Sequence, residues 1–169
     1  MIAALDLHRL GVALIVFPEA SEADLRRGIS TLYYGVFHRL ISDGSSIFQN
    51  GGAALTSQAG RAFSHSVMRQ VCEAYVRSPK RPFAPPLDHL APTPPDRRII
   101  QISEAFIQLQ EGRQIADYDL IAAIERTDAL ELLEQAEFVH WALDELLGLP
   151  DVTVFLAALL LADRWKRRG

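Results

Sequence analysis

The chain has 169 residues, enough for one domain with its own hydrophobic core, and its single cysteine, Cys72, excludes an intrachain disulfide or a thiolate metal cluster within one chain. A formal net charge of −4 and a pI near 5.7 argue against a surface coated in cations for unselective nucleic-acid binding, while leaving room for a local basic groove. The apolar run at residues 10–17 has Asp6 upstream and no small-x-small site after Phe17, and the apolar stretch at 152–162 falls short of the ~20 residues of a membrane span, so a cytoplasmic protein without a membrane partner is expected.

Residues 1–20 read as a lead-in, a short helix or extended segment ending at Pro18. Ser21-Glu22-Ala23-Asp24 then resembles a capping start for a long helix. Its apolar positions Leu25, Ile29, Leu32, Val36, Phe37 and Leu40 recur at three-and-four spacing, and Asp43-Gly44-Ser45-Ser46 is expected to stop it. A second helix is predicted over about 55–77, with Phe63, Val67, Val71 and Tyr75 as its core stripe.

Residues 78–96 hold seven of the nine prolines and predict a long loop without helix. A third helix follows over about 97–116, and a fourth over about 127–147 carries Leu130, Leu133, Phe138, Trp141 and Leu146. Gly148-Leu149-Pro150 breaks it, and a fifth helix ends in Arg164-Trp165-Lys166-Arg167-Arg168, cations that suit a helix C-terminus. With no phosphate loop, no alternating strands and no repeat, the expected fold is all-α, an up-and-down four-helix bundle over 21–169 with an additional C-terminal helix.

Polar residues also fall in columns. Ser30, Tyr34 and His38 are four apart on the first long helix. Arg61 and His65 share that spacing on the second, with Arg69 a turn further, and Arg113 and Asp117, followed by Tyr118, repeat it on the third. Three helices with polar groups in register suggest a shared internal site or network.

At these residues the chain resembles HEPN-domain proteins, the higher eukaryotes and prokaryotes nucleotide-binding family. Arg27 followed by Ser30-Thr31-Leu32-Tyr33-Tyr34-Gly35-Val36-Phe37-His38 is similar to the family's first long helix, and Gly60-Arg61-Ala62-Phe63-Ser64-His65 leading to Cys72 is similar to its second. Arg113-Gln114-Ile115-Ala116-Asp117-Tyr118-Asp119 resembles the Arg-x-x-Ala-Asp-Tyr-Asp segment of many members. The resemblance covers about residues 21–147. It implies a four-helix bundle, a homodimer, and a place among metal-independent endoribonucleases, toxins partnered by an antitoxin or nucleotidyltransferase, and noncatalytic members. The active ribonucleases have a wider Arg–His spacing than the three intervening residues here, and Ala62 stands where a polar residue often follows the Arg.

Metal-free RNA cleavage needs a base for the 2′-hydroxyl, an acid for the leaving oxygen and positive charge on the phosphate. His65 suits proton transfer and Arg61 suits the phosphate, so these two are the candidate catalytic pair, with each protomer of a dimer supplying one histidine. Ser30, Tyr34, His38, Arg113, Asp117 and Tyr118 are candidate substrate-binding residues. The alternative is a closed network that fixes helix register in a noncatalytic homodimeric binding module: Arg113 would pair with Asp117, Tyr34 would reach Asp117, and His65 would satisfy a hydroxyl. Glu137 and His140 make one Glu-x-x-His pair where a di-iron site wants two, so no metal or other cofactor is expected. Arg77, Lys80, Arg81, Arg97 and Arg98 flank the proline-rich loop, either as ordinary surface charge or as the edge of an RNA groove.

Overall fold

The computed structural model describes residues 3–166, with side chains as far as residue 162. It is all-helical, with no strand among the described residues: α1 (Ala4–Val16), α2 (Glu22–Ser46), α3 (Ala53–Arg61), α4 (His65–Arg77), α5 (Leu87–Leu90), α6 (Arg97–Tyr118), α7 (Arg126–Leu146) and α8 (Pro150–Lys166), plus one 3-10 turn at Gln49–Gly51. The side chains of Arg164, Lys166, Arg167 and Arg168 lie outside the described residues.

α2 starts with a reciprocal cap. The backbone N–H of Asp24 donates to Ser21 Oγ at 3.3 Å, and the Asp24 carboxylate accepts from the Ser21 backbone N–H at 2.9 Å. Asp96 does the same work for α6, accepting from the Arg98 backbone N–H at 2.8 Å while its other oxygen pairs with Arg98. α7 ends where Gly148 takes a φ of +93°, a conformation that strains any side chain, and Pro150 opens α8 at a position where its missing N–H is not needed.

Three element boundaries depart from expectation. α2 runs through Gly44 to Ser46, because Gly44 is a packing position: a Cβ there would lie 2.6 Å from the Phe63 ring. The helix predicted over 55–77 is two helices, parted at Ala62-Phe63-Ser64, where Ser64 is extended at φ −132° and ψ 134°. With α4 restarted at His65, its buried face is Met68, Val71, Cys72 and Tyr75, and Phe63 and Val67 are only half-buried. The proline-rich segment does hold one turn of helix, α5, whose Leu87 and the nearby Phe83 and Ala91 are buried.

The chain forms two compact units. The first joins residues up to Arg39 with Ala105–Trp141. In it α1 and α2 come close at their glycines, since a Cβ on Gly11 would lie 3.1 Å from the Gly28 carbonyl and one on Gly35 would lie 3.2 Å from the backbone N of His8. Ile15, Ile29, Leu32, Tyr33, Val36, Phe106, Leu109 and Val139 are buried there, with Tyr33 stacked on Phe37. The second joins Leu40–Glu104 with residues from Ala142 onward. There α4 packs on α8, and Tyr75 meets Phe83 at 4.8 Å and Phe155 at 5.1 Å between ring centroids.

Candidate functional site

The polar columns of α2 and α6 meet inside the first unit. Arg113 is their centre: its Nη2 donates to Tyr34 Oη at 2.9 Å and to Tyr118 Oη at 3.2 Å, and its guanidinium lies 5.5 Å and 5.2 Å from the centroids of those two rings. Arg113 Nε is 2.8 Å from Asp117 Oδ2, an ion pair whose N–H direction misses a hydrogen bond. Ser30 Oγ, on a buried residue, donates to the same Asp117 oxygen at 3.3 Å. Burial alone would lower the Arg113 pKa, but Tyr34, Asp117 and Tyr118 more than offset it and raise the group above its ordinary value.

Five of the candidate residues, Ser30, Tyr34, Arg113, Asp117 and Tyr118, therefore form one group, joined by hydrogen bonds and by the Arg113–Asp117 ion pair. Ser30 reaches Asp117, and Tyr34 accepts from Arg113. His38, a turn further along α2, is half-buried with its ring edge-on to Phe37 at 5.8 Å and takes no part in the group.

Arg61 and His65 belong to the second unit, which holds none of those residues. Their expected alignment on one helix face is not met. Arg61 ends α3, His65 starts α4, and the break between them destroys the one-turn register that four-residue spacing gives within a helix. Both are exposed.

A neighbouring arginine escaped the sequence reading. Arg26 Nη1 donates to the carbonyls of Ile115, Ala116 and Asp119 at 3.3, 3.3 and 2.9 Å, its Nη2 donates to Ala122 O, and its Nε pairs with Glu22 at 2.9 Å. It thus caps the C-terminus of α6 and holds the turn that follows. Asp119, last residue of the Arg-x-x-Ala-Asp-Tyr-Asp segment, accepts from the backbone N–H groups of Ile121 and Ala122, each at 3.0 Å, and these bonds hold its carboxyl below the usual range.

His140 is brought close to His8, with ring centroids 4.6 Å apart, but no cluster of three or more His, Cys, Asp or Glu among the described residues is arranged to hold a metal ion. No described helix is long and apolar enough to cross a membrane. No family model, curated protein or solved structure matches the chain.

Proposed function

We propose that this chain is a noncatalytic, homodimeric helical binding module of the HEPN kind, in which Ser30, Tyr34, Arg113, Asp117 and Tyr118 serve the fold. The observation that supports this reading is the occupied guanidinium of Arg113, which two tyrosine hydroxyls and a carboxylate already engage. An arginine kept for a phosphate would keep its fork open to solvent. Half-exposed Leu10 on α1, Phe17 just after it and Trp141 on α7 supply apolar surface of the sort a homodimer would cover.

The test sets stability against activity. Asp117→Asn leaves Arg113 with a weakened partner in a partly buried site and is expected to lower the unfolding free energy by about 1–3 kcal/mol. The wild type is expected to cleave no RNA. Cleavage that disappears in both Arg61→Ala and His65→Ala would overturn the proposal and favour the second reading, an RNA-associated, metal-independent endoribonuclease from a toxin–antitoxin or defence system. What favours that second reading is the exposure of both Arg61 and His65, which leaves them accessible to a phosphodiester.

A further inference from the structure

The turn between α6 and α7 throws two apolar side chains outward: Leu120 is 86% and Ile121 97% exposed. A lone exposed leucine needs no explanation. This pair differs because the backbone carrying it is clamped. Asp119 accepts from the Ile121 and Ala122 N–H groups, Arg26 grips the carbonyls of Asp119 and Ala122, and Ile124 is buried at the far end. A turn held in this way does not fold the pair back onto its own surface. The ordering cost of presenting them is met before any partner arrives, which is the condition a good anchor satisfies. Tyr118, 71% exposed, and Ile115, 44% exposed, extend the apolar surface along the last turn of α6.

The rim of this surface is acidic. Glu111, Asp119, Glu125 and Asp128 are exposed, Asp119 and Asp128 also accepting backbone N–H bonds, and the neighbouring cations are turned to internal partners: Arg26 to the carbonyls of Asp119 and Ala122, Arg113 to Asp117, and Arg126 to the carbonyls of Val16 and Pro18. Carboxylates there repel the same face of a second copy, an anionic lipid surface and a phosphate backbone, and they attract lysine and arginine. We propose that the α6–α7 turn is a docking anchor for another protein, one that takes Leu120 and Ile121 into an apolar pocket rimmed by basic residues. The proposal rests on the binding-module reading and adds where the module makes its contact.

The experiment places a benzophenone side chain at the anchor, as Ile121→p-benzoylphenylalanine, irradiates cells producing the full chain, and sequences what is joined to it. The captured protein is then purified and titrated by calorimetry against the wild type, Leu120→Ser/Ile121→Ser, and Glu111→Lys/Glu125→Lys. Cross-links beside an apolar pocket flanked by lysine or arginine are expected, with affinity at least about tenfold weaker in each double variant and falling with added salt. Melting curves close to the wild type would show that the exposed substitutions leave the fold intact. The proposal is overturned by cross-links only to a second copy, to lipid or to nucleic acid, by no cross-linked protein, or by an affinity that the serine pair leaves unchanged. RNA cleavage lost in both Arg61→Ala and His65→Ala would overturn the module reading and leave the cross-link untouched, so the two failures are distinguishable.

Discussion

Arg26 donates from Nη1 to the carbonyl oxygen of Asp119 at 2.9 Å, across 93 positions of sequence. One side chain at the start of α2 thereby satisfies carbonyls that the end of α6 would otherwise leave open. Arg26→Ala is expected to lower the unfolding free energy in urea by about 2–3 kcal/mol, since these bonds carry a charged donor. Arg26→Lys should recover less than half of that loss, because an ammonium cannot spread its donors over carbonyls on both sides of the turn. Faster hydrogen exchange at the Ile121 and Ala122 amides would accompany both variants, and a lysine variant as stable as the wild type would show that the fork is dispensable.

The α1–α2 crossing predicts an unusual cost for adding one methyl group. A Cβ on Gly28 would lie 2.5 Å from Ile15 Cγ1 and 3.3 Å from the Gly11 carbonyl, and Ile15 is fully buried. Gly28→Ala gains helix propensity yet should destabilise by about 1–3 kcal/mol through overpacking. Because a Cβ on Gly11 would meet the Gly28 carbonyl in turn, the double alanine variant should depart from additivity in a double-mutant cycle. A stabilised Gly28→Ala protein would be inconsistent with this crossing.

His8 sets a pH dependence whose sign can be worked out. Burial holds its imidazole below the ordinary value of 6.5, and Glu137 opposes this more weakly. Its Nδ1 has no hydrogen-bond partner, and the His140 ring stands 4.6 Å away. Glu137 and His140 face it from α7, α2 carries His38 and Arg39 a turn beyond the contact at Gly35, and α1 itself carries Asp6 and Arg9. The unfolded chain takes up the His8 proton first, so this contribution to stability is complete above about pH 6.5 and is lost as pH falls through the depressed folded value. Urea midpoints measured from about pH 7 to about pH 5 should decline, and less steeply in His8→Leu. Equal slopes in the two proteins would remove His8 as the source.

Cys72 is fully buried, and burial pushes its thiol up to about 12 despite the nearby Ser103 hydroxyl. A thiol without thiolate character and without access reacts slowly. The native protein should resist a thiol-specific reagent at neutral pH and label at a rate that follows unfolding as urea is added. Rapid labelling without denaturant would place Cys72 at the surface.

The helical class and the core of α2 were legible because periodicity is a local signal that survives folding: Leu25, Ile29, Leu32, Val36, Phe37 and Leu40 are all buried. On α7 the same reading takes Leu130, Phe138 and Trp141 with Leu133 and Leu146, but Trp141 is exposed and the buried face runs through the small residues Ala129, Ala136 and Ala142, which carry little hydrophobic signal. Gly44 was misread because glycine carries two meanings, chain stop and close approach, and only the position of Phe63 decides between them. The α3–α4 break has no local proline, and Ser64 takes the N-cap position of α4 without a side-chain capping bond, so the restart leaves little local mark. The meeting of Ser30 and Tyr34 with Arg113 and Asp117 could be anticipated from one-turn columns on two helices. The reach of Arg26 across to α6 could not, since its partners there are main-chain carbonyls, which leave no mark on residue types.

The interleaving of the two units bears on how the protein is made. α1 and the first part of α2 leave the ribosome early, but their packing partners in Ala105–Trp141 follow only after α3, α4 and α5 have been synthesised. α4 in turn waits for α8 before Tyr75 can meet Phe155. A nascent chain therefore carries two unfinished apolar faces at once, and synthesis slowed before residue 150 would prolong the interval in which they invite aggregation or a chaperone.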